Sequence, residues 1–367
     1  MSSPATYSRR SLISLTEPFR SKRNTDALAI FLLDILLYVA LTGVTLTARF
    51  FGVRLAASFA LGIVLARLFI IGHDCCHGAF FSSATLNRAL GRVAFLPTLT
   101  PFSLWELGHN VMHHSFPNLK GRDHVWAPLT KSEYEALPSW RKALERFYRS
   151  IYGLWAYYLI ELWWNKLFFP NKRHVRARRS RHLRDSWAVA LYLVAMISIC
   201  VWLSDGSAGG RALSLVTAIV IPFCLWNYLM GFVIYVHHTH PAIAWYENKS
   251  AWAQSLPQIV NTVHMTFPVP FSKMLHNIME HNAHHADINV PLYELPSAQA
   301  SVTEALGPEM LVEQWSFRGF IACLDACKLF DFEQYAWLDF EGNITALTTT
   351  GRKSYGANGA SHDARRH

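Results

Sequence analysis

Apolar residues in this chain gather into four long runs instead of alternating with polar ones. The runs are residues 27 to 48 (28 onward reading LAIFLLDILLYVALTGVTLTA), 55 to 72 (LAASFALGIVLARLFIIG), 187 to 203 (WAVALYLVAMISICVWL) and 212 to 236 (ALSLVTAIVIPFCLWNYLMGFVIYV). Each is about as long as the helix needed to cross a hydrocarbon layer of roughly 30 Å. Only a few residues join the first two, and a turn containing DGSAGG joins the last two. The pattern predicts an all-α integral membrane protein with four transmembrane helices in two hairpins. Asp34 interrupts the first run, and a carboxylate at that depth is expected to face protein or water. Pro222 is expected to kink the fourth.

A fifth segment, IYGLWAYYLIELWWNKLFF from 151 to 169, is nearly as apolar. Its many Trp and Tyr residues, its internal Glu161 and Lys166 and the basic run after it predict a helix lying in the membrane interface. The polar stretches then divide the chain. Residues 1–26 form an N-terminal segment, 27–341 the main domain with its interfacial helices and a helical cap, and 342–367 a Gly/Ser/Thr-rich tail expected to be disordered.

Charge adds orientation. The chain has 367 residues, 51% hydrophobic and 16% charged, with a formal net charge of +9. A basic balance of this size is compatible with nucleic acid, but the Lys and Arg residues flank the apolar runs. They concentrate in the first segment and in the 73 to 186 loop, which ends in Lys172, Arg173, Arg176, Arg178, Arg179, Arg181 and Arg184. By the positive-inside rule, both termini and the large loop are cytoplasmic, and nucleic acid is not an expected partner. The six cysteines have no regular spacing, which fits a reducing compartment and no disulfide framework.

The candidate chemistry lies in the 18 histidines. Three clusters stand out: His73 and His77; His109, His113 and His114; His281, His284 and His285. Residues three or four apart share one face of a helix, so each cluster can direct imidazoles at a common point, with His114 turned away from His113 toward a second metal. A lone histidine is more often a hydrogen-bonded core or surface group, and that reading applies to His124, His174, His182, His240, His264, His362 and His367, with His276 a bystander to the third cluster. Three clusters on one membrane face are a metal site. Imidazole suits Zn, Cu, Fe and Ni, and eight histidines are too many for one four-coordinate zinc. Two irons sharing eight or nine imidazoles use them all, and a di-iron pair beside lipid implies O2 activation and oxidation of a long apolar substrate.

At these residues the chain resembles the membrane fatty-acid desaturases, whose mark is three histidine boxes. The stretches IGHDCCHGAF, GRDHVWAPL, HHTHP (237 to 241) and LHNIMEHNAHHADINVPLYELP are similar to the delta-12 (omega-6) acyl-lipid branch, and the likeness covers roughly residues 25 to 340. The resemblance implies that His73, His77, His109, His113, His114, His281, His284 and His285 bind two irons. It implies a ninth ligand at His238, with the adjacent His237 as the alternative. It also implies insertion of a cis double bond into a fatty acyl chain with O2 and two electrons. Asp74, Glu106 and Asp287 are candidate acceptors for imidazole N–H groups around the di-iron centre. Cys76 stands where relatives commonly have glycine and is expected to be a packing group.

The electrons are expected from a separate ferredoxin or cytochrome b5, since the chain has no Cys-rich ferredoxin pattern, dinucleotide fingerprint or haem-binding segment of its own. The expected setting is a bacterial inner membrane, or alternatively the endoplasmic reticulum. Acyl hydroxylation or carotenoid oxidation on the same scaffold is the nearest alternative. A metal transporter is the non-enzyme alternative, and it would place its ligands within the spans.

Overall fold

The computed structural model describes residues 9–169, 179–255, 261–307 and 310–352. It is mostly helical, and four helices are long and apolar enough to cross a membrane: Asn24–Thr47, Phe51–Cys76, Ser180–Trp202 and Ala208–His238. The second packs along both the first and the fourth. The first and third present wide apolar faces outward, with Leu36 66% and Leu191 68% exposed. Surface of that kind needs lipid around it, and the chain is a membrane protein.

Two of these helices outrun the apolar stretches that foretold them. The second continues four residues past Gly72, through His73 to Cys76, before Gly78 (φ +70°) turns the chain away. The fourth continues through His237 and His238. Polar residues at a buried helix end cost nothing in backbone hydrogen bonding, so hydropathy underestimates the helix where its last turn carries chemistry. The kink expected at Pro222 is absorbed differently. A π-helical turn, Val216–Val220, leads into it, and the wider turn accommodates a residue with no N–H to donate.

Asp34 faces protein, as expected of a carboxylate at that depth. Arg67 of the second helix donates to it at 2.8 Å, and the imidazole of His276 lies against its other oxygen. Arg67 also donates to the carbonyl of Met274 at 3.0 Å. One buried ionic knot thus ties the first two long helices to the loop that carries the third histidine cluster.

The 151 to 169 segment is helical over Leu154–Tyr157 and continues as a π-helix over Tyr158–Phe168. It packs against the fourth long helix, where Gly231 lets the two backbones nearly touch: a Cβ there would lie 2.4 Å from the carbonyl oxygen of Leu154. Trp126 pins the junction, its indole donating to the Gly231 carbonyl and its backbone N–H to the Tyr157 hydroxyl.

Two divisions expected from composition are redrawn. The N-terminal segment belongs to the fold: helix Arg9–Thr16 packs on helices His281–Ala286 and Leu295–Leu306, and both Thr16 and Arg20 donate to Asp287. The tail expected to be disordered from 342 begins with a strand, β5 (Ile344–Leu347). It pairs antiparallel with β4 (Ala336–Leu338), which pairs with β3 (Leu329–Asp331). Small polar residues there serve as hydrogen-bond donors, Thr345 to the Ala326 carbonyl and Thr348 to that of Tyr335. Residues 353–367 lie outside the described residues. A short parallel pair, β1 (Val263–Thr266) with β2 (Leu311–Gln314), flanks the third cluster.

Gly231→Val is expected to lower stability by about 1–3 kcal/mol, the usual cost of overpacking. Gly43→Ala, in a helix with nothing within 4 Å of the new methyl, is expected to be neutral or to stabilise by about 0.5–1 kcal/mol. Thermal unfolding in detergent reads both, and an unshifted Gly231→Val midpoint would contradict the close contact.

Candidate metal centre

Four short stretches bring nine imidazoles to one end of the helix bundle. His73 lies on the last turn of the second long helix and His77 just beyond it. The stretch Leu107–His113 is π-helical, and its i→i+5 bonding (His114 N–H to the His109 carbonyl, 2.9 Å) sets the His114 ring edge-on to that of His109. His113 is left pointing to the side. His238 ends the fourth helix, and His281, His284 and His285 lie on the six-residue helix His281–Ala286.

The ring nitrogens fall into two neighbouring groups, His73, His77, His109, His114 and His284 in one and His113, His238, His281 and His285 in the other. Within each, the potential ligand atoms all lie within 4.8 Å of one another. His113 and His114 part company, as their sequence adjacency suggested. The third cluster is shared, sending His284 to the first group and the other two to the second. The choice between the adjacent histidines falls on His238, whose Nε2 is 2.9 Å from that of His281. His237 instead stacks on the His281 ring at 3.8 Å.

Several contacts between ring nitrogens are short: His73 to His109 at 2.9 Å, His109 to His114 at 2.8 Å and His114 to His284 at 3.1 Å. Two nitrogens each about 2.0–2.1 Å from one ion, at right angles, would be about 3 Å apart. Both ring nitrogens of His77 and of His285 are buried without a hydrogen-bond partner. Buried polar groups are rarely left so, and an all-imidazole set of this density fits a pair of transition metals. Burial, reinforced by the neighbouring imidazoles, pushes the basicity of His77, His109, His114, His281 and His285 well below the usual histidine range, and that of His284 down to about 3. All six are neutral at pH 7, the form that binds metal.

The carboxylate that serves this site is not one of the three expected. Asp123 is buried, with both oxygens 3.1 Å from His113 Nδ1. It also accepts the backbone N–H groups of Asn118 and Val125. Burial would raise its pKa, but the facing His113 outweighs this and holds it below the usual range. Asp123 lies in the stretch GRDHVWAPL, ten residues past His113, too far for helical spacing to flag.

Asp74 accepts the Leu292 N–H, Glu106 pairs with Arg181, and Asp287 accepts from Thr16 and Arg20. Among the described residues none of the three accepts from an imidazole. They anchor one chain segment to another instead, because each meets a donor from a distant part of the chain. Cys76 packs against the Phe102 carbonyl, away from the ring nitrogens.

The remaining histidines stand mostly apart. His182 contacts Ser103, His240 pairs with Glu313 and His264 with Glu280. His124 borders the site's cavity, and His174, His362 and His367 lie outside the described residues, as do Lys172, Arg173, Arg176 and Arg178.

A cavity of about 710 Å³ opens between the two groups and the bundle. His73, His109, His113 and His281 form one wall, and Phe69, Trp105, Tyr158, Leu162, Met230 and Val233 are among its apolar lining. A dimetal-type imidazole cluster beside an apolar slot, at the end of membrane helices, defines an enzyme acting on a long hydrocarbon. Comparison with known proteins gives the family. The family model described as fatty acid desaturase matches residues 50–317, and the chain belongs to that family of oxidoreductases. It is 29% identical over 280 residues to the sn-1 oleoyl-lipid 12-desaturase of Picosynechococcus, covering 75% of this chain and 76% of that one. It is 28% identical over 278 residues to the protein of the same name from Synechocystis, covering 74% of each. To the chloroplastic omega-6 fatty acid desaturase of Glycine max it is 27% identical over 275 residues, 74% of this chain and 62% of the relative.

Asp123→Ala is expected to cut metal affinity by about 10–100-fold, the usual effect of removing a carboxylate that orients a ligand imidazole. Metal content after dialysis against a weak chelator measures it. The depressed histidine pKa values set a pH dependence. The unfolded chain takes up more protons below about 6.5, so stability of the metal-free protein is complete above that pH and falls as the pH drops. Its unfolding midpoint is expected to decline between pH 7 and 5, and a flat profile would contradict buried neutral imidazoles.

Proposed function

We propose that this chain inserts a cis double bond into an acyl chain of a membrane glycerolipid, of the delta-12 (omega-6) type, using two irons, O2 and two electrons. The observation that carries the reading is the apolar cavity walled by both histidine groups, which lets a hydrocarbon chain lie against the metal site. The overall change is balanced: –CH2–CH2– + O2 + 2 e⁻ + 2 H⁺ gives –CH=CH– + 2 H2O. Bound iron supplies the oxygen-activating redox chemistry that unpolarised C–H bonds require.

The chain's own residues do the rest. His73, His77, His109, His114 and His284 would hold one ion, and His113, His238, His281 and His285 the other. Asp123 fixes the tautomer and direction of His113. Trp105 lies 4.0 Å from the His109 ring, holding it in place and closing the site to water on that side. The lining of aromatic and branched side chains orients the acyl chain and fixes which methylenes face the metals.

The electrons come from a separate ferredoxin or cytochrome b5 type donor. The Lys and Arg residues that flank the apolar runs support an orientation. The site and both termini are cytoplasmic, the segment lies in the interface, and the membrane is a bacterial inner membrane. A transporter would need polar groups along a path through the spans, whereas His73, His237 and His238 occupy helix ends.

Expression of the full chain in a bacterial host, with double-bond location by mass spectrometry, tests this. New polyunsaturated chains are expected, falling to background in His113→Ala and His284→Ala, with about two irons per purified wild-type chain. An unchanged acyl profile with a competent donor present would overturn it.

A further inference from the structure

A second chamber lies beside the histidine cavity and shares Gly108, His124 and Leu167 with it. It holds about 1400 Å³ of empty space, and its far wall is charged. Arg141 is engaged by Glu145 and Glu161, and Glu161 also accepts from Tyr148. Asp123 is taken by His113 and two backbone N–H groups. Two further cations line that wall, Lys166 and Arg122. Among the described residues neither has a carboxylate within 4.0 Å; Glu161 and Asp123 face Lys166 from farther off, and Arg122 lies over the Phe116 ring.

Aromatic side chains gather beside Lys166. Trp163, Trp164, Phe168, Phe169 and Trp187 pack together around the end of the 151 to 169 segment, with Trp164 62% and Trp187 59% exposed. Exposed tryptophans in such a cluster belong at the boundary between hydrocarbon and headgroups. Lys166 is on the same turn. Gly108 lies on the boundary that chamber and cavity share, with Leu167 and His124 beside it.

We propose that this chamber seats the head of the acyl-lipid substrate and that Lys166, with Arg122, recognises an anionic phosphodiester in it, so the preferred substrate is an anionic glycerophospholipid. This rests on the desaturase reading, which requires the acyl chain of that lipid to enter the adjoining cavity. Burial pushes the Lys166 ammonium down to about 8, and a phosphodiester beside it would replace the water it has lost. The apolar cavity next to the chamber would favour a phosphate that carries acyl chains over a free one.

The test uses the purified, metal-loaded full chain in detergent, with bound lipid measured by native mass spectrometry. The probes are a palmitoyl-oleoyl phosphatidylglycerol, a galactosyl diacylglycerol with the same chains, and inorganic phosphate as competitor. Wild type and Lys166→Arg are expected to favour the phosphodiester lipid by about tenfold, the scale of one hydrogen bond to a charged group. Lys166→Met is expected to lose that preference with metal content unchanged, and inorganic phosphate is expected not to compete.

A preference retained in Lys166→Met, or displacement of the lipid by inorganic phosphate, would overturn the assignment. If Lys166→Met fails to load metal, Arg122→Gln under the same readout decides, a lost preference supporting the site and a retained one overturning it. Acyl analysis of cells stands apart from this measurement. Absence of new double bonds from wild type, with the preference still dependent on Lys166, would sink the desaturase reading and leave the headgroup site standing.

Discussion

Nine imidazoles crowded together out of water are the constraint around which the rest of the molecule is arranged. Each buried ring nitrogen without a partner costs about 1–3 kcal/mol, and His77 and His285 carry two apiece. A fold cannot hold such a set with local interactions alone, and here it is clamped from every side. The Asp34–Arg67–His276 knot steadies the approach to the third cluster. Arg20 and Thr16 grip Asp287 at its exit. Bound metal would return that free energy, since ion binding would give each ring the partner that burial denies it.

The four long helices divide the work unequally. The second and fourth are the inner pair, and both extend past the apolar register to carry histidines on their last turns. The first and third are outer helices whose apolar faces meet lipid. A substrate arriving sideways from the bilayer therefore meets the inner pair only where the cavity opens. The Leu154–Phe168 segment closes that cavity from the other side, and its close seat on Gly231 makes the cavity wall and the fourth helix one rigid unit.

Much of this was readable from the residues in order. Helix number, the histidine clusters and their division between neighbouring positions follow from periods of three, four and eighteen or more residues, which are local properties of a chain. What escaped has a common cause. Asp123 reaches His113 through a loop, with no periodicity to announce it. The three expected carboxylates lie beside histidines in sequence but are claimed by partners far away in the chain, such as Arg20 for Asp287. The π-helical turn at Leu107–His113 decides which of His113 and His114 joins His109, and it arises from packing, not from residue type. Strand β5 was hidden by a composition that reads as linker, because its hydroxyls work as hydrogen-bond donors.

Bond position is then a problem in length measured from fixed points. The histidine groups sit on helix ends, so the carbons presented to them would depend on where the rest of the lipid is held. A head seated against Lys166, as proposed, would make the enzyme count from the ester, and the chamber-to-histidine distance would set the number of methylenes between. A chain whose tip instead abuts the cavity floor near Phe69 and Tyr158 would be counted from the methyl end. For a chain of one length both rulers select the same carbons. They diverge when chain length changes, which is where a headgroup seat at Lys166 would be felt.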